Sequence, residues 1–307
     1  MHTRFLSQPM VQFWREIARL VDQHGDPREI VVASAFASLA AVFRLEEVIE
    51  RVRQAGGQAR LVLGVDLGGT SRQVLARVAT WDAEVFVVKN RGGGVIFHPK
   101  IYLLRWDDAA VIAVGSNNLT DSGLFSNYEA ASLTSFLLPA GEDQFVAARQ
   151  ELAPFLNPDG PTAQRLDAAY LEALLRHPGI PSEARSGGGE EDRRVQATVV
   201  GGAHNDIFGW EAPARRDPLP GRYLQAIIEA RRDELAGERR RTRRAMVDGV
   251  LPATEGASTT AMPMAPDSFF MTLPAVTGAN DNIPGEMRIP LIARDIAPAF
   301  WGWPGRR

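Results

Sequence analysis

The chain has 307 residues, enough to bury one substantial core and to divide into two domains. Hydrophobic residues make up 45% and charged residues 23%, and the net charge of −3 excludes a globally basic nucleic-acid footprint, so any basic surface must be local. There is no cysteine, which excludes disulfides and thiolate metal sites; the opening "MHTRFLSQPMVQFWREIARL" lacks a secretory apolar core and no apolar run reaches membrane-spanning length, so a cytoplasmic chain without a membrane partner is expected.

In chain order, "MVQFWREIARLVDQ" carries apolar residues at helical spacing and predicts an amphipathic helix. "EIVVASAFAS" predicts a buried strand running into a small-residue turn. "LEEVIERVRQAGG" predicts a helix closed by glycine. "ARLVLGVD", "SRQVLARVATW" and "AEVFVVKN" then read as strand, helix and strand. After the turn "RGGG" come two further strands, "VIFHPKIYLLRW" and "AAVIAVGS", joined as a hairpin through Asp107 and Asp108. "YEAASLTSF" predicts another strand and "GEDQFVAARQELAPFL" a helix. The expected fold is α/β, a mixed sheet flanked by helices, in a first domain over residues 1–160. Residues 161–250 are expected to hold a helix at "PTAQRLDAAYLEALLRHPG", the polar linker "SEARSGGGEEDRR" and a long arginine-rich helix. Residues 251–307 read as a flexible segment and a short β-rich tail, a possible fragment of a DNA-recognition domain.

The chain holds only two lysines, Lys89 and Lys100, against 32 arginines. Lys100 stands two residues after His98, which places both side chains on one face of the predicted strand. On the next strand Gly115 permits close backbone approach, and Ser116 and Asn118 again share a face. The predicted hairpin brings these groups together: an imidazole to attack, and a cation, a hydroxyl and an amide to hold phosphodiester oxygens. Glu129, on a following strand, is placed to hydrogen-bond the imidazole and fix its tautomer. Taken singly, a strand histidine and a "GSNN" turn are ordinary structural features; their combination and spacing single them out.

These motifs, His98-Pro99-Lys100 and Gly115-Ser116-Asn117-Asn118, resemble the signature of the phospholipase D superfamily. The extension "LTDSGLFSNYEA" is similar to the branch containing metal-independent restriction endonucleases. The resemblance covers roughly residues 10–160 and implies a phospholipase D-like fold. It also implies His98, Lys100, Ser116, Asn118 and Glu129 as catalytic residues and neither metal nor cofactor. The superfamily has an aspartate five residues after the lysine where this chain has Arg105; its loss is common in the restriction-enzyme branch. The family mechanism uses two histidines, and His2, His24, His177 and His204 lack matching surroundings. The resemblance therefore implies a homodimer with one composite site.

Two further segments carry alternatives. "GVDLGGT", residues 64–70, is similar to the phosphate-binding turn of actin-like sugar kinases, but "SRQVLARVATW" predicts a helix where that motif needs a strand. Thr70 or Ser71 as a helix cap is the simpler reading. Eight arginines between Arg222 and Arg244 face four acids, and Arg231, Arg232, Arg239, Arg240, Arg243 and Arg244 are candidates for phosphate-backbone contacts; a solvated helix in an arginine-biased chain is the alternative. Three functions stay open: a DNA-cleaving phosphodiesterase in restriction or phage defence, a catalytically silent DNA-binding or dimerisation protein, and a phospholipid hydrolase.

Overall fold

A computed structural model describes residues 1–92, 94–186, 214–230 and 232. The strands are β1 (His2–Gln8), β2 (Glu29–Ser34), β3 (Gln58–Gly64), β4 (Glu84–Val88), β5 (Lys100–Arg105), β6 (Ala109–Gly115), β7 (Glu129–Leu137) and β8 (Ala163–Arg165). The helices are α1 (Phe13–His24), α2 (Leu39–Gln54), α3 (Arg72–Val78), α4 (Asp121–Phe125), α5 (Glu142–Glu151), α6 (Ala153–Leu156) and α7 (Ala168–Arg176). Residues 221–230 form a further helix.

The strands make one mixed sheet in the order β1-β7-β6-β5-β2-β3-β4-β8. β2, β3 and β4 are parallel, and every other neighbour pair is antiparallel. The expected α/β class holds because the helices between β2, β3 and β4 return the chain for parallel pairing, whereas the Asp107–Asp108 turn permits only a hairpin. Alternation along each strand gives the sheet two apolar faces. One packs Tyr102, Leu104, Val111 and Leu133 with Phe13, Ile17, Val42 and Leu45; the other packs Leu103, Ile112 and Phe136 with Phe145 and Leu156.

Several boundaries differ from the sequence reading. β1 was not anticipated, because the short alternating run "HTRFLSQ" gains its stability from pairing with β7. The strand expected from residue 95 begins only at Lys100, so His98 lies in the preceding loop. The helix expected from residue 161 is preceded by β8, which pairs with β4. The long helix expected over 141–156 is two helices meeting at Leu152, with Pro154 early in the second. The sheet and core also reach past residue 160: β8 completes the sheet, and Tyr223 and Ile227 are buried in the main core. Tyr223 stacks on Phe43 at 4.6 Å.

This topology gathers chemistry at one sheet edge. The carboxyl ends of β1, β2, β3, β4 and β6 and the amino ends of β5 and β7 all lie there, as the registers Ser34↔Lys100, Gly115↔Ala131 and Gln8↔Glu129 require. In open α/β sheets such an edge is where ligands bind.

Candidate active site

Lys100 opens β5 with its side chain on the face of Tyr102, and it is only 6% exposed. Its Nζ lies 2.7 Å from His98 Nδ1 and 3.0 Å from Nε2, and it donates to the His98 carbonyl at 3.0 Å. His98 itself faces solvent. Partial burial, and then the Lys100 charge, lower the imidazole pKa below its ordinary value. The shift favours the neutral imidazole, whose lone pair accepts from the Lys100 ammonium. The Phe36 ring meets it edge-on at 5.9 Å.

Gly115 ends β6 against Ala130 and Ala131 of β7. Ser116 continues the ladder with its side chain: its backbone N–H donates to Ala130 O at 3.0 Å, and its Oγ accepts from Ala130 N at 3.1 Å. The same hydroxyl donates to Glu129 Oε2. Glu129 Oε1 accepts from Asn127 Nδ2 at 3.2 Å. Asn118 is half-buried, and its Oδ1, an acceptor, lacks a hydrogen-bond partner among the described residues. Beneath the site, the buried Tyr102 hydroxyl donates to Asn117 O at 3.1 Å. Burial and then the charge of Glu129 raise the Tyr102 pKa well above its usual range, so it stays a neutral donor.

The five residues singled out in the sequence thus lie at one edge as two contacting groups, His98 with Lys100 and Ser116 with Glu129, while Asn118 follows two residues after Ser116. Glu129 was expected to orient the imidazole; the contacts described for its carboxylate are with Ser116 and Asn127. The cause is register: Gly115↔Ala131 sets Ser116 opposite Ala130, so the neighbouring Glu129 lies within reach of its hydroxyl. Among the described residues no cluster of three or more His, Asp or Glu is placed to hold a metal ion. No described helix is long and apolar enough to cross a membrane.

Several supporting residues escaped the sequence reading. Gln8 is buried; its Nε2 donates to Gly123 O and Asn127 O, both at 3.1 Å, and its Oε1 accepts from Phe13 N at 3.1 Å. It fastens the loop that carries Asn127, and no local pattern marks it. Arg44 donates to Asp121 Oδ1 at 2.6 Å and Arg216 to Oδ2 at 3.0 Å, pinning α4 directly behind the "GSNN" turn. The "GVDLGGT" turn leads into α3 with Ser71 as its cap, Val74 N donating to Ser71 Oγ at 3.1 Å, so the helix reading holds and the kinase reading does not. A side chain at Gly69 would overlap the Phe36 ring, so that glycine lets Phe36 lie against His98. A glycine beside a small-residue turn was the available signal.

Of the arginine candidates, Arg232 is exposed, while Arg231, Arg239, Arg240, Arg243 and Arg244 lie outside the described residues, as does the tail over 251–307.

No family model and no curated protein matches the sequence. Solved structures do. The chain is similar to Nuc, a phospholipase D family member from Salmonella typhimurium, at 16% identity and a TM-score of 0.36, covering 54% of this chain and 99% of that one. NucT from Helicobacter pylori aligns at 12% identity and a TM-score of 0.40, over 54% and 99% of the two chains. Phosphatidylserine synthase from Haemophilus influenzae aligns at 13% identity and a TM-score of 0.40, over 57% of this chain and 42% of its own length.

Proposed function

We propose that this chain is a metal-independent phosphodiesterase that cleaves DNA as a homodimer through a phosphohistidine intermediate, in a restriction or phage-defence role. The observation that carries this reading is the solvent-facing His98 beside an almost fully buried ammonium 2.7 Å away. A phosphodiester approaching His98 draws the Lys100 ammonium from the imidazole to its own oxygens, which leaves the ring lone pair to attack phosphorus and sets a desolvated cation, poorly screened by water, against the developing charge.

In the first step an imidazole nitrogen of His98 bonds to phosphorus and the P–O bond to the leaving nucleoside breaks. The leaving oxygen takes a proton from His98 of the partner subunit, which gains that proton beside the negative charge of the bound phosphodiester. In the second step water attacks phosphorus, its proton passes to the partner's His98, and the N–P bond breaks. Lys100 and the Asn118 amide stabilise the charge that develops on the non-bridging oxygens. Ser116, with its hydroxyl proton committed to Glu129, holds the β6–β7 edge in place and keeps that carboxylate beside the site. The defence role rests on the resemblance of "LTDSGLFSNYEA" to restriction-enzyme relatives. In this reading the catalytic unit includes the 214–230 segment, with a recognition fragment at 251–307.

The test is cleavage of plasmid and oligonucleotide DNA in EDTA, with acid-labile, alkali-stable phosphate on the protein as the intermediate. Mixing wild type with excess His98→Ala should give inactive heterodimers. Activity that requires added magnesium, or a fully active monomer, would overturn the mechanism.

A further inference from the structure

Two loops project beside His98 from the carboxyl ends of β3 and β4. The first, residues 65–70, contains Leu67 at φ 53°, ψ 18°, the one non-glycine residue described in the left-handed region. That conformation is disfavoured for a leucine, and the side chain gains no burial in return: it is 75% exposed. The second loop carries Val95 and Ile96, 59% and 38% exposed, immediately before Phe97 and His98. Exposed Arg91 stands in the same loop and has no acidic partner among the described residues.

The two loops are tied together. Asp66, only 6% exposed, accepts from Lys89 Nζ at 2.9 Å and from Phe97 N at 3.2 Å. A Cβ on Gly64 would sit 3.1 Å from Phe97 O, so the loop bases touch. This gives the second lysine of the chain its role: with Asp66 it braces the apolar side chains beside the nucleophile.

The geometry points to Leu67, Val95 and Ile96 as a ridge that contacts an unstacked nucleobase next to the scissile phosphate, with Arg91 on the neighbouring phosphate, so that the preferred substrate is single-stranded DNA. This rests on the phosphodiesterase reading of His98. A base released from the stack exposes an apolar face, and a short aliphatic ridge beside a cation complements it. A duplex keeps its base faces covered. A lipid acyl chain would need a longer apolar surface than three side chains provide.

The experiment compares fluorescence anisotropy of a single-stranded oligothymidylate with an abasic strand of equal length, in a His98→Ala background so that neither is cut. The unmodified ridge should bind the base-bearing strand about tenfold more tightly, the scale expected for covering one aliphatic side chain. Leu67→Gly relieves the backbone conformation, so the protein should melt no lower, yet the preference should collapse towards unity. Val95→Ser with Ile96→Ser should act in the same direction, whereas Arg91→Gln should weaken both strands alike. Equal binding of the two strands before mutation, or an unchanged preference in Leu67→Gly, would overturn the ridge. So would loss of binding to anionic lipid vesicles in Leu67→Gly with oligonucleotide binding intact. A chain that cleaves no phosphodiester yet keeps the base-dependent preference would sink the phosphodiesterase reading and leave the ridge standing.

Discussion

Gly115 is the position where a single methyl group tests the architecture of the site most directly. A Cβ there would lie 2.7 Å from both Ala131 Cα and Ala131 Cβ, and closer still to the Ala130 carbonyl. Carbon atoms settle at about 3.5 Å or more, so Gly115→Ala must open a gap of about 0.8 Å between β6 and β7. The obstructing atoms are mostly backbone, so no rotamer change relieves them. Overpacking of this kind costs about 2 kcal/mol, which for a folded unit of roughly 200 residues lowers Tm by about 4–8 °C. Ser116 and Glu129 bracket the widened seam, and a displacement approaching 1 Å at reacting groups costs on the order of 10²-fold in rate. Differential scanning fluorimetry and single-turnover cleavage in EDTA measure the two effects. Wild-type Tm together with wild-type turnover in Gly115→Ala would refute the claim that close approach of β6 to β7 builds the site.

The remaining predictions concern charge. Because the His98 pKa is lowered, the neutral nucleophile persists to lower pH, and the acid limb of kcat/KM should fall below about 6.5; a limb well above that value would contradict the assignment. By the same linkage the unfolded chain takes up a proton at His98 before the folded one does, so stability should decline as pH falls from about 6.5 towards the folded value and then level off. His98→Ala should remove that component from the pH dependence of Tm. Lys100→Arg keeps the charge but puts a planar fork where a compact ammonium contacts the imidazole, and should lose about 10²–10³ in turnover; near-normal turnover would make the lysine incidental. Glu129→Gln should also slow turnover while leaving DNA binding nearly unchanged, as measured by anisotropy. Asp121→Ala leaves Arg44 buried beside Arg216 without their shared carboxylate and should cost about 3–5 kcal/mol in urea denaturation; a cost under 1 kcal/mol would show that the pair does not hold α4.

Local order along the chain sufficed for the fold class and for setting His98 beside Lys100. His98 and Lys100 are two residues apart, and a strand period of two puts them on one face, which survives although His98 sits just ahead of β5. Alternating strands and helices followed by a tight Asp107–Asp108 turn similarly dictate a mixed sheet. The contacts that assemble the site are non-local and carry no periodic mark. β1 becomes a strand only by pairing with β7, and the register of β6 on β7 sets Glu129 against Ser116. Gln8, Arg216 and Phe36 reach the site across gaps of 119, 95 and 62 residues, from Asn127, Asp121 and His98 respectively. Such contacts depend on which strand edges and helix faces meet after collapse. Side-chain period is a property of the backbone and can be read from neighbours in sequence; register and loop-to-loop contact are properties of the packed whole, and only the tertiary structure decides them.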